Sequence, residues 1–508
     1  MENNLKVKIW GREVGRLTWD TRRKRSVFEY SPDFLRGNID IAPLTASIRN
    51  PRYKLPFYGE VNDNVFYGLP AFISDSLSGR WGNTVFSAWA SSNGMSEERL
   101  TSVDKLSFIG QRGMGALEFE PAKTVGRGEM SLQLDQLYKK AQEILMKREE
   151  TVINGKDLSL EGLYEVGTSA GGQHTKAVIA RNTITGEIRS GQIMLPPEYK
   201  YYLLKFAEKD YYPLTKIEIV YYELACKAGI NMMPSVLISI DGDYHFLTER
   251  YDRKDGKKIH TQTLAAMNPH AHSYEDLMTV CEQIGILYPE REEMFRRIVF
   301  NVLSTNVDAH IKNFSFMMEE NSSWHITPAY DLTFSCYNPG NNFDPAHYLS
   351  IGGKTINIKY DDLVTLGRKY NISNPDEIIR TTADSIAQFR SVAEKYKVEP
   401  YWIDKIEGHL AEMSPDILSM LNGYKPLVFE YFIENKNITV TNLHWIEMGN
   451  GAMRIMAELN GMPFKATFGK KSKEYPIIME KGGIKMSFEE QKKYVERLFL
   501  DKFPENNQ

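Results

Sequence analysis

The chain has 508 residues, room for about three domains at roughly 150 residues each, and its 42% hydrophobic and 25% charged content is that of a folded globular protein. Lys plus Arg (62) nearly balances Asp plus Glu (66), a net charge of −4 at pH 7, which excludes a whole-chain basic surface for gripping nucleic acid or anionic lipid. The 28 Tyr and 24 Phe exclude disorder as the main state, and three scattered cysteines (Cys226, Cys281, Cys336) without a C-x-x-C exclude a thiolate zinc site or disulfide framework.

The first segment reads as β-rich. Val7 and Ile9, then Leu17 and Trp19, alternate on either side of Gly11 and Gly15 as in a hairpin, and a third strand runs from Ser26 to Tyr30. Ser31-Pro32 then signals a helix start. Gly and polar punctuation continues to Gly113-Met114-Gly115. Residues 129 to 149 form a helix with Leu132, Leu134, Leu137, Ala141, Ile144 and Leu145 on one stripe. The charged run that follows marks a boundary near residue 155. A sparse, odd cysteine count, no apolar stretch at the start and no long apolar run predict a cytoplasmic protein with no secretory signal and no membrane span.

Residues 164 to 250 read as a small α+β unit. A Gly-rich turn, Gly167 to Gly172, enters the strand around Ala177–Ala180, and the apolar strand Tyr201–Phe206 holds one lysine, Lys205. A helix from about Lys216 to Lys227 follows, opened by the capping box Thr215-x-x-Glu218 and closed by Gly229. Strands Ser235–Ile240 and Tyr244–Glu249 are joined by the Asp241-Gly242 turn. From 273 to 305 the period is helical. A polar loop, Thr305 to Asn313, precedes the strand Phe314–Met318, a turn at Asn321-Ser322-Ser323, and a return through Trp324–Thr327 to Asp331. Helices of roughly 375–395 and 401–422 come next. The last 80 residues hold strands around 438–440, 453–459, 464–468 and 477–479, a hairpin turn at Asn460-Gly461, and a final amphipathic helix capped by Ser487-x-x-Glu490.

The loop Asn306-Val-Asp308-Ala-His310-Ile-Lys312-Asn313 with Asp331 downstream carries the chemistry. Phosphoryl transfer needs a carboxylate to orient and deprotonate the acceptor hydroxyl and oxygen ligands to hold Mg²⁺ against the phosphates. Asp308 suits the base, Asn313 and Asp331 the metal ligands, and Lys312 the neutralisation of phosphate charge. Asp and Asn in a loop more often cap turns; the hairpin ending in Asp331 is what favours chemistry. Gly171 and Gly172 let backbone N–H groups approach phosphates, although G-x-x-x-x-G-K-[ST] is absent. Lys205 needs an anion inside its apolar strand, either a nucleotide phosphate or Glu218, for which the capping box already gives a structural role. The string Glu249-Arg250-Tyr251-Asp252-Arg253 ends a strand and offers backbone groups to a nucleobase and a carboxylate, Asp252, to ribose hydroxyls.

The order of these signals and the strings themselves resemble the HipA family of serine/threonine kinases, the toxins of type II toxin–antitoxin systems. The resemblance rests on Ser169-Ala-Gly-Gly-Gln-His-Thr-Lys176, Leu204-Lys205-Phe206, Glu249 to Arg253, Asn306 to Asn313, Pro328-Ala-Tyr-Asp331 and Leu349-Ser-Ile-Gly-Gly-Lys354, and spans roughly residues 5 to 425. It implies an α+β, kinase-like two-lobed fold. The divisions are a β-rich N-terminal subdomain with linker helix (1–150), an N-lobe with the Gly-rich loop (151–253), a helical C-lobe (254–425) and a small α+β module (426–508). It implies ATP and Mg²⁺, with Asp308 as base, Asn313 and Asp331 on the metal, Lys205 on the phosphates, and Asp252 with the backbone of Glu249 and Tyr251 on the nucleoside. It further implies autophosphorylation at Ser169, with Thr168 as a second acceptor, which inactivates the enzyme. Expected partners are a translation-associated protein substrate and a HipB-like helix-turn-helix antitoxin, with DNA reached only through the antitoxin. A catalytically silent nucleotide-binding corepressor and a small-molecule or lipid kinase are the alternatives.

Overall fold

The computed structural model describes residues 4–61, 63, 65–123, 131–146, 158–167, 174–208, 212–320, 322–336 and 345–413, and the strands 429–433, 436–447, 452–459, 462–469 and 478–479. The chain opens with β1 (Asn4–Ile9), β2 (Arg12–Asp20) and β3 (Arg25–Tyr30), whose alternating apolar side chains fill one sheet face. Helix α1 (Pro32–Leu35) starts as expected, with the Phe34 N–H donating to the Ser31 hydroxyl. Strand β4 (Phe57–Tyr58) and, later, β5 (Leu117–Glu120) complete an antiparallel sheet in the order β4-β3-β2-β1-β5. Between them lie α2 (Ala71–Ser74), α3 (Arg80–Ser92) and α4 (Ser102–Ile109), in a stretch read as punctuation from sequence.

Helices α5 (Leu134–Met146) and α6 (Leu158–Gly167) lead into β6 (Lys176–Asn182), β7 (Ile188–Ser190) and β8 (Tyr199–Lys205). Then follow α7 (Leu214–Lys227), β9 (Ser235–Ile240) and β10 (Asp243–Glu249), giving a second antiparallel sheet, β7-β6-β8-β10-β9. Trp81, Val85, Phe86 and Trp89 of α3 and Leu137, Tyr138, Ala141 and Ile144 of α5 pack with α6 and this sheet in one core. Two helices of the first 150 residues thus back the N-lobe sheet.

The short pair β11 (Arg253–Lys254) and β12 (Lys257–Lys258) precedes β13 (His260–Thr263), α8 (Leu264–Met267), α9 (Tyr274–Gln283) and α10 (Tyr288–Leu303). Strands β14 (Ser315–Met318) and β15 (His325–Ile326) join β13 in a three-stranded sheet, and Asn321 of the turn expected between them lies outside the described residues. Helices α11 (Tyr360–Lys369), α12 (Pro375–Ile386), α13 (Phe389–Lys395) and α14 (Pro400–Met413) close the C-lobe. The single helix expected over 375–395 is two, divided at Ala387-Gln388. Strands β16 (Phe429–Ile433), β17 (Lys436–Glu447), β18 (Ala452–Leu459), β19 (Met462–Gly469) and β20 (Ile478–Met479) form an antiparallel meander. The turn at Asn460-Gly461 and the helix expected after Ser487 lie outside the described residues. No helix among the described residues is long and apolar enough to cross a membrane.

Candidate active site

Strand β8 carries Lys205 at its last position, buried against α7 and 2.5 Å from both Glu218 Oε1 and Asp331 Oδ1. Burial alone would lower the ammonium's pKa, but Asp331 and Glu218 overcome it and hold Lys205 charged, above its ordinary value. Lys205, against the effect of burial and aided by Lys176, keeps Asp331 well below the usual carboxylate range. Burial pushes Glu218 up despite the same lysine.

The expected capping box at Glu218 does not form. Helix α7 begins two residues after Tyr212, behind Pro213, without a side-chain cap. Thr215 Oγ1 instead donates to the Tyr244 carbonyl at 2.7 Å, and Glu218 turns inward to Lys205. A buried ammonium outcompetes an N-terminal backbone N–H for a carboxylate.

The loop after α10 is fixed from several sides. Thr305 adopts φ 55°, and Asn306 donates to Asn301 Oδ1 at 2.9 Å while accepting from the Ser335 hydroxyl at 3.1 Å. The Asp308 N–H donates to Ser335 Oγ (2.9 Å), and the Tyr348 N–H to the Val307 carbonyl (2.8 Å). Asp308 is exposed on the wall of a cleft. Its carboxyl lies above its ordinary value, first because the cleft walls withdraw it from bulk water and then because Asp331 is near, with His310 opposing. Asn313 donates through Nδ2 to the Asp308 carbonyl at 3.3 Å, which turns its amide oxygen the other way. Asp331 sits at φ 58°, a strained conformation for a residue with a Cβ. The neighbouring Tyr330 hydroxyl donates to the Lys312 carbonyl at 2.9 Å, tying the two ends of the β14–β15 hairpin together. Lys312 lines the same cleft with its ammonium 3.4 Å from the Val65 carbonyl.

At the other end, Glu249 and Tyr251 line the cleft. The Glu249 N–H donates to the Pro234 carbonyl at 3.0 Å. An antiparallel ladder would return that bond to the Glu249 carbonyl, but proline has no N–H to give. Tyr251 stacks on Tyr330 at 6.1 Å between centroids.

Asp252 is placed differently from the sequence expectation. Its side chain is 0% exposed and accepts from Arg250 Nε and Nη2 (2.8 Å each), Arg253 Nη1 (2.7 Å) and the Gly115 N–H (2.8 Å). A carboxylate so committed does not reach the cleft, and it joins the N-terminal segment to the end of the N-lobe sheet. Gly171, Gly172, Ser169 and Thr168 lie outside the described residues.

Sequence reasoning missed Lys176. It is 5% exposed, lines the cleft and stands directly opposite Lys205 in the β6–β8 register. Burial, and next the like charge of Lys205, lower its pKa to about 8. The available signal was a second lysine at the start of an apolar strand. The cleft encloses about 1670 Å³, more than the roughly 300–1,000 Å³ of a small-molecule site.

Two family models match the chain: the HipA N-terminal domain over residues 5–120 and the HipA-like C-terminal domain over 168–392. A Haemophilus influenzae protein described as "Putative kinase" is 27% identical over 151 residues, covering 26% of this chain and 44% of that protein. "Putative kinase Y4dM" of Sinorhizobium fredii is 23% identical over 215 residues, covering 39% and 52%. The chain thus spans about half the length of these curated relatives. A chain in the solved Shewanella oneidensis complex of HipA, HipB and operator DNA matches with TM-score 0.53 and 16% identity, covering 82% of this chain and 96% of that one. At that identity the likeness speaks for the fold.

Proposed function

Because the chain belongs to the HipA family, with both the N-terminal and C-terminal domains matched, we propose that it is an ATP- and Mg²⁺-dependent protein serine/threonine kinase. The reading rests on one observation: Lys205, Asp308, Asn313 and Asp331, spread over more than 120 residues of chain, line a single cleft. The donor set fits magnesium, a hard cation that takes one or two carboxylates and completes its shell with water and phosphate oxygens. Asp331 and the amide oxygen of Asn313 would hold it.

Bound Mg-ATP supplies the phosphoryl group and shields its charge. The protein's own part is orientation and proton handling. Asp308 would accept the proton of the serine or threonine hydroxyl as its oxygen bonds to the γ-phosphorus and the bond from that phosphorus to the bridging oxygen breaks, with ADP leaving. The raised carboxyl of Asp308 brings its basicity closer to the working pH. Lys205 offers its ammonium to the donor phosphates, with Glu218 fixing its position. The Glu249 carbonyl, which lacks its ladder donor, accepts from an exocyclic amino group of adenine, and the Tyr251 backbone borders the same end.

Phosphate added at Ser169 or Thr168 brings about −1.5 to −2 charge into the Gly-rich loop, which is incompatible with ATP phosphates in one pocket and switches the enzyme off. The acceptor is a translation-associated protein whose modification stops growth. A HipB-like helix-turn-helix protein is the partner, and operator DNA is reached through it.

The test is transfer of labelled phosphate from ATP to protein. Wild type labels itself in the presence of Mg²⁺. Asp308→Ala and Asp331→Ala lower transfer by at least about 10²–10⁴. Full labelling in both variants refutes the assignment.

A further inference from the structure

The cleft extends past the nucleotide-binding groups onto the N-terminal part of the chain, where α3 presents one polar face. Arg80, Asn83, Thr84 and Ser87 fall at i, i+3, i+4 and i+7 and line the cleft, while Trp81, Val85, Phe86 and Trp89 on the other side are buried. At 1.5 Å per residue the strip is about 10 Å long, the reach of about three extended residues. The Thr84 hydroxyl donates to the Arg80 carbonyl (3.0 Å), which leaves its oxygen as an acceptor, while the Ser87 hydroxyl is held between the Asn83 carbonyl and the Glu97 carboxylate. Arg80 is exposed, and among the described residues no carboxylate pairs with it.

Tyr348 lines the same cleft beside the proposed base. It is 54% exposed although anchored to the catalytic loop, through its backbone bond to Val307 and its ring edge-on to His310 at 5.7 Å. An aromatic ring held in the open by its own backbone is a surface for another chain.

We propose that the polar face of α3 and Tyr348 together form the acceptor groove, and that it takes an extended protein segment carrying an aspartate or glutamate within a few residues of the acceptor hydroxyl. The acidic side chain pairs with Arg80, a backbone N–H of the segment meets the Thr84 hydroxyl, and Tyr348 covers the residue beside the acceptor. This deepens the kinase reading above and depends on it. The size of the cleft favours a polypeptide over a small metabolite, and the unpaired guanidinium favours an acidic segment over a basic one.

The experiment incubates the full chain with host lysate, Mg²⁺ and ATP and maps phosphorylated sites by mass spectrometry for wild type, Arg80→Glu, Arg80→Lys and Tyr348→Ala. Wild-type sites are expected to be enriched in Asp and Glu around the acceptor. Arg80→Glu should lower their labelling about tenfold, Arg80→Lys should retain them, and Tyr348→Ala should lower labelling of external acceptors generally. Affinity for a fluorescent ATP analogue, unchanged in both Arg80 variants, separates the groove from the nucleotide site. Wild-type sites with no acidic enrichment, or an enrichment undiminished in Arg80→Glu, overturn the groove and leave the kinase reading standing. Wild type that binds the analogue but transfers phosphate to no protein overturns both.

Discussion

Replacing Asp252 by asparagine preserves the side chain's shape and removes its charge from a cluster with no access to water. The Arg250, Asp252 and Arg253 side chains are 1%, 0% and 0% exposed. Burial would raise the carboxyl's pKa, but Arg250 and Arg253 prevail and hold it far below the ordinary range. A carboxylate depressed in the folded state contributes stability above its unfolded pKa of about 3.9 and loses it only as pH falls through the folded value. At pH 7 the contribution is complete. Asp252→Asn leaves two guanidinium groups buried around a neutral amide, and breaking such a pair costs about 3–5 kcal/mol. At about 2–4 °C per kcal/mol for a unit of 150–250 residues, thermal unfolding should fall by roughly 6–20 °C. Circular dichroism at pH 7 measures the midpoint, and nucleotide affinity is measured well below it, where the variant should bind as wild type does. An unchanged midpoint together with lost nucleotide affinity would refute the structural role and return Asp252 to the ribose.

Lys205→Met strands Glu218 as an uncompensated buried carboxylate and should cost about 3–5 kcal/mol in urea unfolding, whereas Lys205→Met/Glu218→Leu should recover most of that while remaining inactive. Equal stability of the two variants would contradict the pairing. His260, fully buried beside the Ile41 carbonyl, has its pKa lowered to about 4, first by burial. The unfolded chain takes up its proton near pH 6.5 and the folded chain does not, so stability falls with pH between those values. Wild type should lose about 3 kcal/mol more than His260→Gln between pH 6.5 and 4; parallel curves would show that His260 is protonated in the fold.

The alternation in β1 to β3 survived translation into structure because each strand is half-buried, which is the condition under which period-two patterns form. Helix α3 was equally written in Trp81, Val85, Phe86 and Trp89, but the neighbouring glycines and serines read as loop. Glu218 shows a different limit. Its local environment offered a cap three residues back, and only the fold brings Lys205 to it. Asp252 had both arginine partners within two residues in sequence, a pairing visible beforehand and passed over for a ligand. In the loop after α10, local spacing was enough to bring the side chains to one cleft: Asp308 and Asn313 are five residues apart, and the β14–β15 hairpin returns Asp331. The place of α3 was not legible, since nothing in residues 80–87 announces that they line the same cleft as Asp308, more than 220 residues away in the chain.

The ammonium of Lys205 and the carboxylate of Asp331 neutralise each other. On the proposed reading both must change company, the lysine for an anionic phosphate and the aspartate for a divalent cation. Phosphate arriving alone would draw the lysine from Asp331 and meet a bare carboxylate, while metal arriving alone would sit beside an ammonium still held by Glu218 and be repelled by it. Entering as one complex, they replace the one attraction between lysine and aspartate with two, lysine to phosphate and aspartate to metal. On that reading, synergy between nucleotide and metal is prefigured in the single 2.5 Å contact of Lys205 with Asp331.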